Sequence, residues 1–204
     1  MCEVTAPLTN MWNQNPNPMQ EALLGLLPVE KASAMFWYVE GSKWRDMIHR
    51  IKYNNRWRIA YEMGRWYGSM LKQSGLYDDI DAVVPVPLHP LRQMKRGYNQ
   101  SAYIAEGMAR EMGVEFINSA VVRRRYNRSQ TTRSQSQRWS NVEGIFSVRR
   151  KKRLSGKHIL LVDDVFTTGA TIISLGSTIL KSVEDVRLSV AVLAASRHSL
   201  HIEP

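Results

Sequence analysis

Hydrophobic residues along this chain fall into short unbroken runs, separated by segments in which apolar positions recur every three or four residues. Residues 159–162 form the clearest run and precede a segment, 172–181, with the length and composition of a helix. A strand that is apolar at successive positions is buried on both faces, which is typical of a parallel sheet. Further strands are predicted at residues 34–39, 81–86, 114–117 and 186–194, and further helices at residues 43–53, 57–71 and 101–112.

Individual residues mark several of these boundaries. Ser42 is the predicted N-cap of the helix over 43–53, and Gly75 ends the helical pattern that begins at residue 57. Pro85 and Pro87 close the strand over 81–86, because proline is compatible with the end of a strand but not with its middle. The alternation of strands and helices predicts an α/β fold with a mainly parallel sheet and right-handed crossovers, preceded by two helices.

Candidate chemistry concentrates directly after the 159–162 run. Asp163 and Asp164 stand there, and a hydroxyl-rich turn around Gly169 leads into the next helix. Successive backbone N–H groups, hydroxyls and a helix N-terminus together seat a phosphate, and glycine lets the backbone approach it closely. The carboxylates would repel a phosphate, so they suit neutral hydroxyls or a metal shared with the ligand. A phosphate beside a pair of hydroxyls describes a ribose 5-phosphate.

The alternative for this stretch is a plain parallel strand followed by a capped helix. In that case Thr167 or Thr168 only caps the helix. This alternative explains the threonines, but it does not explain two adjacent carboxylates at the end of a strand.

A second group of candidates follows the strand over 81–86. Residues 88–101 are predicted to form a loop with three cations, Arg92, Lys95 and Arg96. Cations beside the carboxyl end of a strand can hold a pyrophosphate, and a solvated basic loop is the alternative. The position of the loop, one βα unit before the two aspartates, favours the pyrophosphate. His89 is the histidine nearest this group; His49 and His158 are interpreted as structural.

Composition limits the class of protein. The 204 residues suit one domain with an appendage, and 44% hydrophobic content is that of a folded chain. Cys2 is the single cysteine, which rules out an internal disulfide and fits a reducing cytosol. No apolar run approaches the roughly 18 residues of a membrane span, and the N-terminus lacks the basic segment followed by an apolar segment that marks a signal peptide. The expected location is cytoplasmic, and a net charge of +10 favours anionic ligands.

Thirteen positions, residues 159–171, resemble the 5-phosphoribosyl-1-diphosphate (PRPP) signature of type I phosphoribosyltransferases. Together with Val-Pro-Val-Pro-Leu-His-Pro at 84–90 and Arg-Gly-Tyr-Asn-Gln-Ser at 96–101, they resemble the ComF family of competence-related phosphoribosyltransferase-like proteins. The resemblance covers about residues 32–193. It implies displacement of pyrophosphate from C1 of PRPP by a nucleophile, either transfer or hydrolysis, in a protein linked to DNA uptake.

The resemblance also implies site residues. The ribose hydroxyls would bind to Asp163 and Asp164, the 5-phosphate to Thr167, Thr168, Gly169, Ala170 and Thr171, and the pyrophosphate to Arg92, Lys95 and Arg96. Magnesium would be bound through PRPP, with no direct protein ligand. Enzymes acting on 6-oxopurines carry an acid at the position of Thr167, so the threonine argues against hypoxanthine or guanine. The nucleophile stays undetermined.

Residues 121–146 are predicted to form a long loop without secondary structure, and together with the residues up to 153 they carry 11 of the 28 cations. In the family a mobile loop closes over PRPP here, which implies catalytic roles for Arg128, Gln130 and Thr131. Arginines interleaved with Tyr126 and Trp139 also suit single-stranded DNA. The rival hypothesis is therefore a non-catalytic DNA-uptake or recombination factor that binds single-stranded DNA and DNA-processing proteins and keeps the pocket as a PRPP or nucleotide sensor. For residues 149–153 a solvated cationic surface is preferred.

The chain departs from the family at its N-terminus. ComF proteins usually begin with a four-cysteine zinc ribbon, whereas here Thr5 stands where the second cysteine would fall after Cys2. We expect no zinc. Residues 1–33 are predicted to be an N-terminal arm, the remnant of a ribbon or a ribbon cut short, and residues 34–204 the phosphoribosyltransferase-like domain.

Overall fold

The computed structural model describes residues 6–52, 56–125, 144–200 and 202. Strands in this part of the chain are β1 (Ala32–Trp37), β2 (Ala82–Pro85), β3 (Glu115–Phe116), β4 (Val121–Arg123), β5 (Phe146–Val148), β6 (His158–Phe166) and β7 (Arg187–Ala195). The α-helices are α1 (Pro18–Leu23), α2 (Lys43–Arg50), α3 (Trp57–Ser74), α4 (Pro90–Arg96), α5 (Gln100–Met112) and α6 (Ala170–Ser182).

Five of the strands form one sheet in the order β1-β7-β6-β2-β3, and every pairing in it is parallel. The strand β6 lies at its centre, between β7 and β2. This confirms the predicted mainly parallel sheet and the last strand. The pair β4–β5 is antiparallel and separate. The predicted loop of residues 121–146 therefore has strands at both ends, and residues 126–143 lie outside the described part.

Helices cover both faces of the sheet. Residues of α1 and α6 pack with one set of strand side chains, and residues of α2, α3 and α5 pack with the other. The helices α3 and α5 are in backbone contact, because a Cβ added to Gly64 would lie 2.1 Å from the carbonyl oxygen of Ile104. A Cβ on Gly107 would lie 2.2 Å from that of Tyr61. This packing fixes the first turn of α5 relative to the sheet.

The segment before β1 packs onto the domain through a buried asparagine. The side chain of Asn17 caps α1, and its Nδ2 donates to the carbonyl oxygens of Met11 at 3.2 Å and Ala32 at 2.7 Å. Met11 and Met19 are buried beside it. These contacts anchor the Asn- and Pro-rich segment to the edge strand. Cys2 and Thr5 lie outside the described residues.

The predicted helix boundaries are mostly confirmed. Ser42 caps α2, since its Oγ accepts a hydrogen bond of 3.1 Å from the backbone N of Arg45, and Gly75 ends α3 in the left-handed conformation. One prediction is wrong: residues 90–96, expected in a loop, form α4. This helix has no buried residue, so it leaves no apolar stripe in the sequence. Its signals are the N-cap His89 and Pro90 in the first turn.

Candidate functional site

The site lies where β2 ends beside the continuing β6. The last pair of β2 with β6 is Pro85 with Val162, whereas β6 stays paired with β7 as far as Phe166 with Ala195. The predicted strand end at residue 162 is therefore wrong, because pairing with β7 carries the strand four residues further. From Asp163 onward β6 has a strand on one side and an opening on the other, at the carboxyl edge where ligands bind in such sheets.

The two carboxylates meet the first turn of α5 in this opening. Asp163 Oδ1 accepts hydrogen bonds from Ser101 Oγ at 2.9 Å and from the backbone N of Asp164 at 2.9 Å. Asp164 Oδ2 accepts one from Gln100 Nε2 at 3.1 Å and forms a salt bridge of 3.0 Å with Lys52 Nζ. The N-terminal end of a helix favours negative charge, so α5 stabilises both carboxylates.

The electrostatics of the pair are unequal. Burial, followed by the neighbouring carboxylate of Asp164, raises the pKa of Asp163 to about 7, against opposing contributions from the Ser101 hydroxyl and the Lys52 ammonium. The side chain of Asp163 therefore titrates near neutral pH. A carboxyl group in that state can accept a hydrogen bond from a hydroxyl or donate one.

The string of residues 96–101 builds the wall of the site, and its first half joins two helices. Arg96 donates to Gln100 Oε1 at 3.2 Å from the last turn of α4. Gly97 then ends α4 with a φ of 84°. The hydroxyl of Tyr98 donates to the carbonyl oxygen of Ile51, beyond α2. These contacts tie the end of α2 to the start of α5.

The second half of the string attaches α5 to the sheet. Asn99 caps α5, with Oδ1 accepting from the backbone N of Ser101 at 3.2 Å, and its Nδ2 donates to the carbonyl oxygen of Val86 at 3.0 Å. The sequence pattern identified the string but assigned a role only to Arg96. The structure adds Gln100 and Ser101, which contact the aspartates directly.

The predicted phosphate seat lies at the end of β6, next to Asp163. It forms a small concave cavity of about 30 Å³, lined by Asp163 and residues 165–172, which include Thr167, Thr168, Gly169, Ala170 and Thr171. Gly169 has a φ of 71°, and a Cβ there would lie 2.8 Å from Phe166 Cζ. Glycine avoids both the strain of this left-handed conformation and the contact with Phe166, and α6 begins at the next residue. The structure therefore brings the hydroxyl-rich turn and the carboxylate together.

The predicted pyrophosphate cations lie on α4 rather than in a loop. Arg92 and Arg96 are half-buried and one turn apart, whereas Lys95 is exposed. A further cation, Arg123 on β4, joins them. Burial, and then the nearby charge of Arg92, lowers the pKa of Arg123, while Asp163 opposes the shift. In the sequence Arg123 is only one of many arginines in a basic stretch, so its electrostatic interaction with Asp163 was missed.

Other candidates have different environments. The part of the chain that the structure describes does not include the predicted catalytic residues of the mobile loop, Arg128, Gln130 and Thr131. It also does not include Tyr126 and Trp139. His89 is the N-cap of α4. His158 is buried and lies 3.0 Å from Asp79 Oδ2 and 2.8 Å from Ser189 Oγ, a structural bridge between strands. No helix of the described chain is long and apolar enough to cross a membrane.

The sequence matches a known protein family. The family described as "Phosphoribosyl transferase domain" matches residues 99–201, half of the chain, and the match starts at the string that positions α5. The chain belongs to this family. Its relatives include Competence protein F of Haemophilus influenzae, 28% identical over 70% of this chain and 64% of the relative. DNA utilization protein YhgH of Escherichia coli K12 is 30% identical over 67% and 60%.

Competence protein ComFC of Streptococcus pneumoniae is 30% identical over 68% of this chain and 57% of the relative. These three relatives confirm the resemblance to ComF proteins, and the chain spans about 60% of their length. Among solved structures, glutamine phosphoribosylpyrophosphate amidotransferase from B. subtilis matches with a TM-score of 0.43 at 22% identity, covering 64% of this chain and 26% of that one. Adenine phosphoribosyltransferase from Saccharomyces cerevisiae matches with a TM-score of 0.42 at 13% identity, covering 65% and 67%.

Proposed function

We propose that this protein binds PRPP at the carboxyl end of β6. The observation that carries the proposal is the placement of Asp163 in the wall of the cavity formed by the hydroxyl-rich turn. One end of that cavity offers backbone N–H groups and hydroxyls at the start of α6, and the other offers the carboxylate of Asp163, with Asp164 next to it in the chain. An anionic phosphate suits the first end and the hydroxyls of a ribose suit the second.

The proposed roles follow from charge and position. Thr167, Thr168, Gly169, Ala170 and Thr171 would hold the 5-phosphate, and Asp163 with Asp164 would accept hydrogen bonds from the ribose hydroxyls. The cations of α4, Arg92, Lys95 and Arg96, would meet the pyrophosphate, with Arg123 as a fourth. Pyrophosphate leaves C1 as an anion, so fixed cations beside it stabilise the charge that develops in the transition state.

Magnesium accompanies PRPP in this family. The described residues include no group of three or more His, Cys, Asp or Glu side chains that could hold a metal ion. We expect the ion to be coordinated mainly by oxygens of PRPP and water, as Mg²⁺ prefers, so the residues that hold PRPP would hold it indirectly. When bound, it would supply positive charge to the leaving pyrophosphate.

A second candidate function is binding of single-stranded DNA. A cleft of about 940 Å³ lies between the α4–α5 wall and the β4–β5 pair, and its lining includes Arg123, Arg124, Arg149 and Tyr103. Proteins that bind single-stranded DNA commonly use a groove in which cations contact the phosphates and aromatic rings stack on the bases. Two of the relatives are named as competence proteins and one as a DNA utilization protein.

Parallel calorimetric titrations separate the two candidates. The protein is titrated with PRPP in the presence of magnesium and, separately, with a single-stranded oligonucleotide at several salt concentrations. The proposal expects saturable one-to-one binding of PRPP, followed by release of pyrophosphate when the right acceptor is added. If PRPP gives no heat of binding while DNA binds with steep salt dependence, the PRPP proposal fails and the second candidate stands.

A further inference from the structure

Lys52 reaches the candidate site from a part of the chain that precedes the matched family domain, which covers residues 99–201. It lies two residues beyond the end of α2, and its Nζ lies 3.0 Å from Asp164 Oδ2. Both partners are largely shielded from solvent, with 22% of the Lys52 side chain and 10% of the Asp164 side chain exposed. The salt bridge brings a positive charge directly to one carboxylate of the candidate site.

The backbone beside Lys52 is fixed by the same string that builds the site. The Tyr98 hydroxyl donates to the carbonyl oxygen of Ile51, and the side chain of Ile51 is fully buried. Two residues after Tyr98, Gln100 donates to the same Asp164 oxygen that Lys52 contacts. Two segments far apart in the sequence thus converge on one carboxylate oxygen.

This convergence answers a physical problem of the site. Two adjacent carboxylates repel each other, and together they repel a ligand that carries a 5-phosphate and a pyrophosphate. An ammonium group within hydrogen-bonding distance offsets one of the charges, and in a shielded setting it is screened less by water and salt than a surface pair. Neither Gln100 nor Ser101 can do this, since both are neutral.

We propose that Lys52 is a positioning residue of the ligand site. Its ammonium offsets the negative charge beside the ligand and holds Oδ2 of Asp164 in place, so that the other carboxylate oxygen, Oδ1, is directed to a hydroxyl of the ligand. This inference rests on the proposed function, and it makes α2 part of the site. It also assigns Tyr98 a role, which is to hold the backbone that carries Lys52.

The test compares three variants with the wild type by calorimetric titration of PRPP with magnesium. Lys52→Met removes the charge and keeps the aliphatic stem, Lys52→Arg keeps the charge, and Lys72→Met removes a cation from the surface of α3 as a control. Loss of a charge-assisted contact corresponds to about 10- to 100-fold weaker binding, which is the expectation for Lys52→Met. The affinity of Lys52→Arg for PRPP should lie within about threefold of the wild-type value, and the affinity of Lys72→Met should equal the wild-type value. Thermal unfolding of each variant checks the fold.

Titration with inorganic pyrophosphate separates positioning from simple attraction of anions. A residue that acts through Asp164 affects a ligand with ribose hydroxyls far more than one without them. Equal weakening of PRPP and pyrophosphate in Lys52→Met would overturn the inference, as would wild-type affinity in Lys52→Met or no recovery in Lys52→Arg. If the wild type itself fails to bind PRPP, the proposed function has failed. If the wild type binds PRPP and Lys52→Met binds it equally well, only the inference about Lys52 has failed.

Discussion

The side-chain amide of Gln100 donates a hydrogen bond of 3.1 Å to Oδ2 of Asp164, which joins the first residue of α5 to the central strand β6. The other end of the amide accepts from Arg96 at 3.2 Å. A neutral side chain thus connects a cation proposed for the pyrophosphate with a carboxylate proposed for the ribose. Because Gln100 is 3% exposed, this connection is shielded from water.

Replacement of Gln100 by Met keeps the length of the side chain and removes both hydrogen bonds. We expect a loss of about 1 to 3 kcal/mol in the free energy of unfolding, because a buried carboxylate and a guanidinium each lose a partner. We also expect PRPP binding to weaken about tenfold. Denaturant unfolding and calorimetry measure the two effects. Gln73→Met, on the exposed face of α3, is the control, and equal behaviour of the two variants would contradict the assigned role.

The raised pKa of Asp163 predicts a pH-dependent cost in stability. The pKa of this carboxyl group is about 7 in the folded protein, against an ordinary aspartate value of 3.8. The folded protein therefore keeps a proton that the unfolded chain releases between pH 4 and pH 7, and the free energy of unfolding falls as the pH rises through that range. Asparagine cannot ionise. Asp163→Asn should therefore stabilise the protein by about 2 to 4 kcal/mol more at pH 8 than at pH 4.

Thermal unfolding of wild type and Asp163→Asn at both pH values measures that difference. Asp78→Asn, which removes one exposed carboxylate, serves as the control. The prediction is contradicted if the melting temperatures of Asp163→Asn and wild type differ by the same amount at pH 4 and at pH 8. That result would show that folding does not raise the pKa of Asp163.

Gly169 offers a test of the phosphate seat with a matched partner elsewhere. Gly169 and Gly156 have the same φ of 71°, but a Cβ at Gly169 would lie 2.8 Å from Phe166 Cζ, whereas a Cβ at Gly156 has no neighbour within 4 Å. Alanine at either position costs about 1 to 2 kcal/mol of backbone strain. Gly169→Ala should cost about 1 to 3 kcal/mol more because of the contact with Phe166.

Only Gly169→Ala should also weaken PRPP binding, since it displaces the turn that holds the 5-phosphate. Denaturant unfolding gives the stabilities and calorimetry gives the affinities. Equal stability losses in the two variants, with PRPP affinity intact in both, would exclude a constrained seat at Gly169.

The imidazole of His158 is predicted to be purely structural. It contacts Asp79 and Ser189 at the amino end of the sheet, and burial, the largest cause, lowers its pKa. A histidine with a lowered pKa stabilises the fold above its usual pKa of about 6.5 and loses that contribution as the pH falls. His158→Ala should cost about 2 kcal/mol at pH 8, and less at pH 5.

PRPP affinity should not change in the folded His158→Ala protein, and the exposed His198→Ala should alter neither quantity. Thermal unfolding at the two pH values and calorimetry at pH 8 give the answer. Weakened PRPP binding with an intact fold would mean that the histidine acts on the site after all.

The parallel sheet was predictable because its strands are apolar on both faces and leave unbroken runs in the sequence. The boundary of β6 was not, since Asp163 and Asp164 interrupt the apolar run although pairing with β7 continues. The helix α4 was not predicted for a related reason. None of its residues is buried, so its sequence has no apolar residues at helical spacing to mark it.

The residues of the site divide in the same way. The acidic pair and the threonine turn are contiguous, so their chemistry is visible from local spacing. Lys52 and Arg123 reach the site only through the packing of α2 and β4, and no local pattern marks them. Gln100 and Ser101 stood within a recognisable string, but their contacts with the aspartates depend on how α5 packs against the sheet.

The most direct test of the account is titration of PRPP and magnesium into the wild type and into the double variant Asp163→Asn, Asp164→Asn. A second double variant, Asp78→Asn with Asp185→Asn, removes the same charge from the surface and is the control. We expect PRPP binding to be saturable in the wild type and in the control and about 100-fold weaker or lost in the Asp163/Asp164 variant. A loss of only two- to threefold in that variant would contradict the assignment of these carboxylates to the ribose, and with it the central claim.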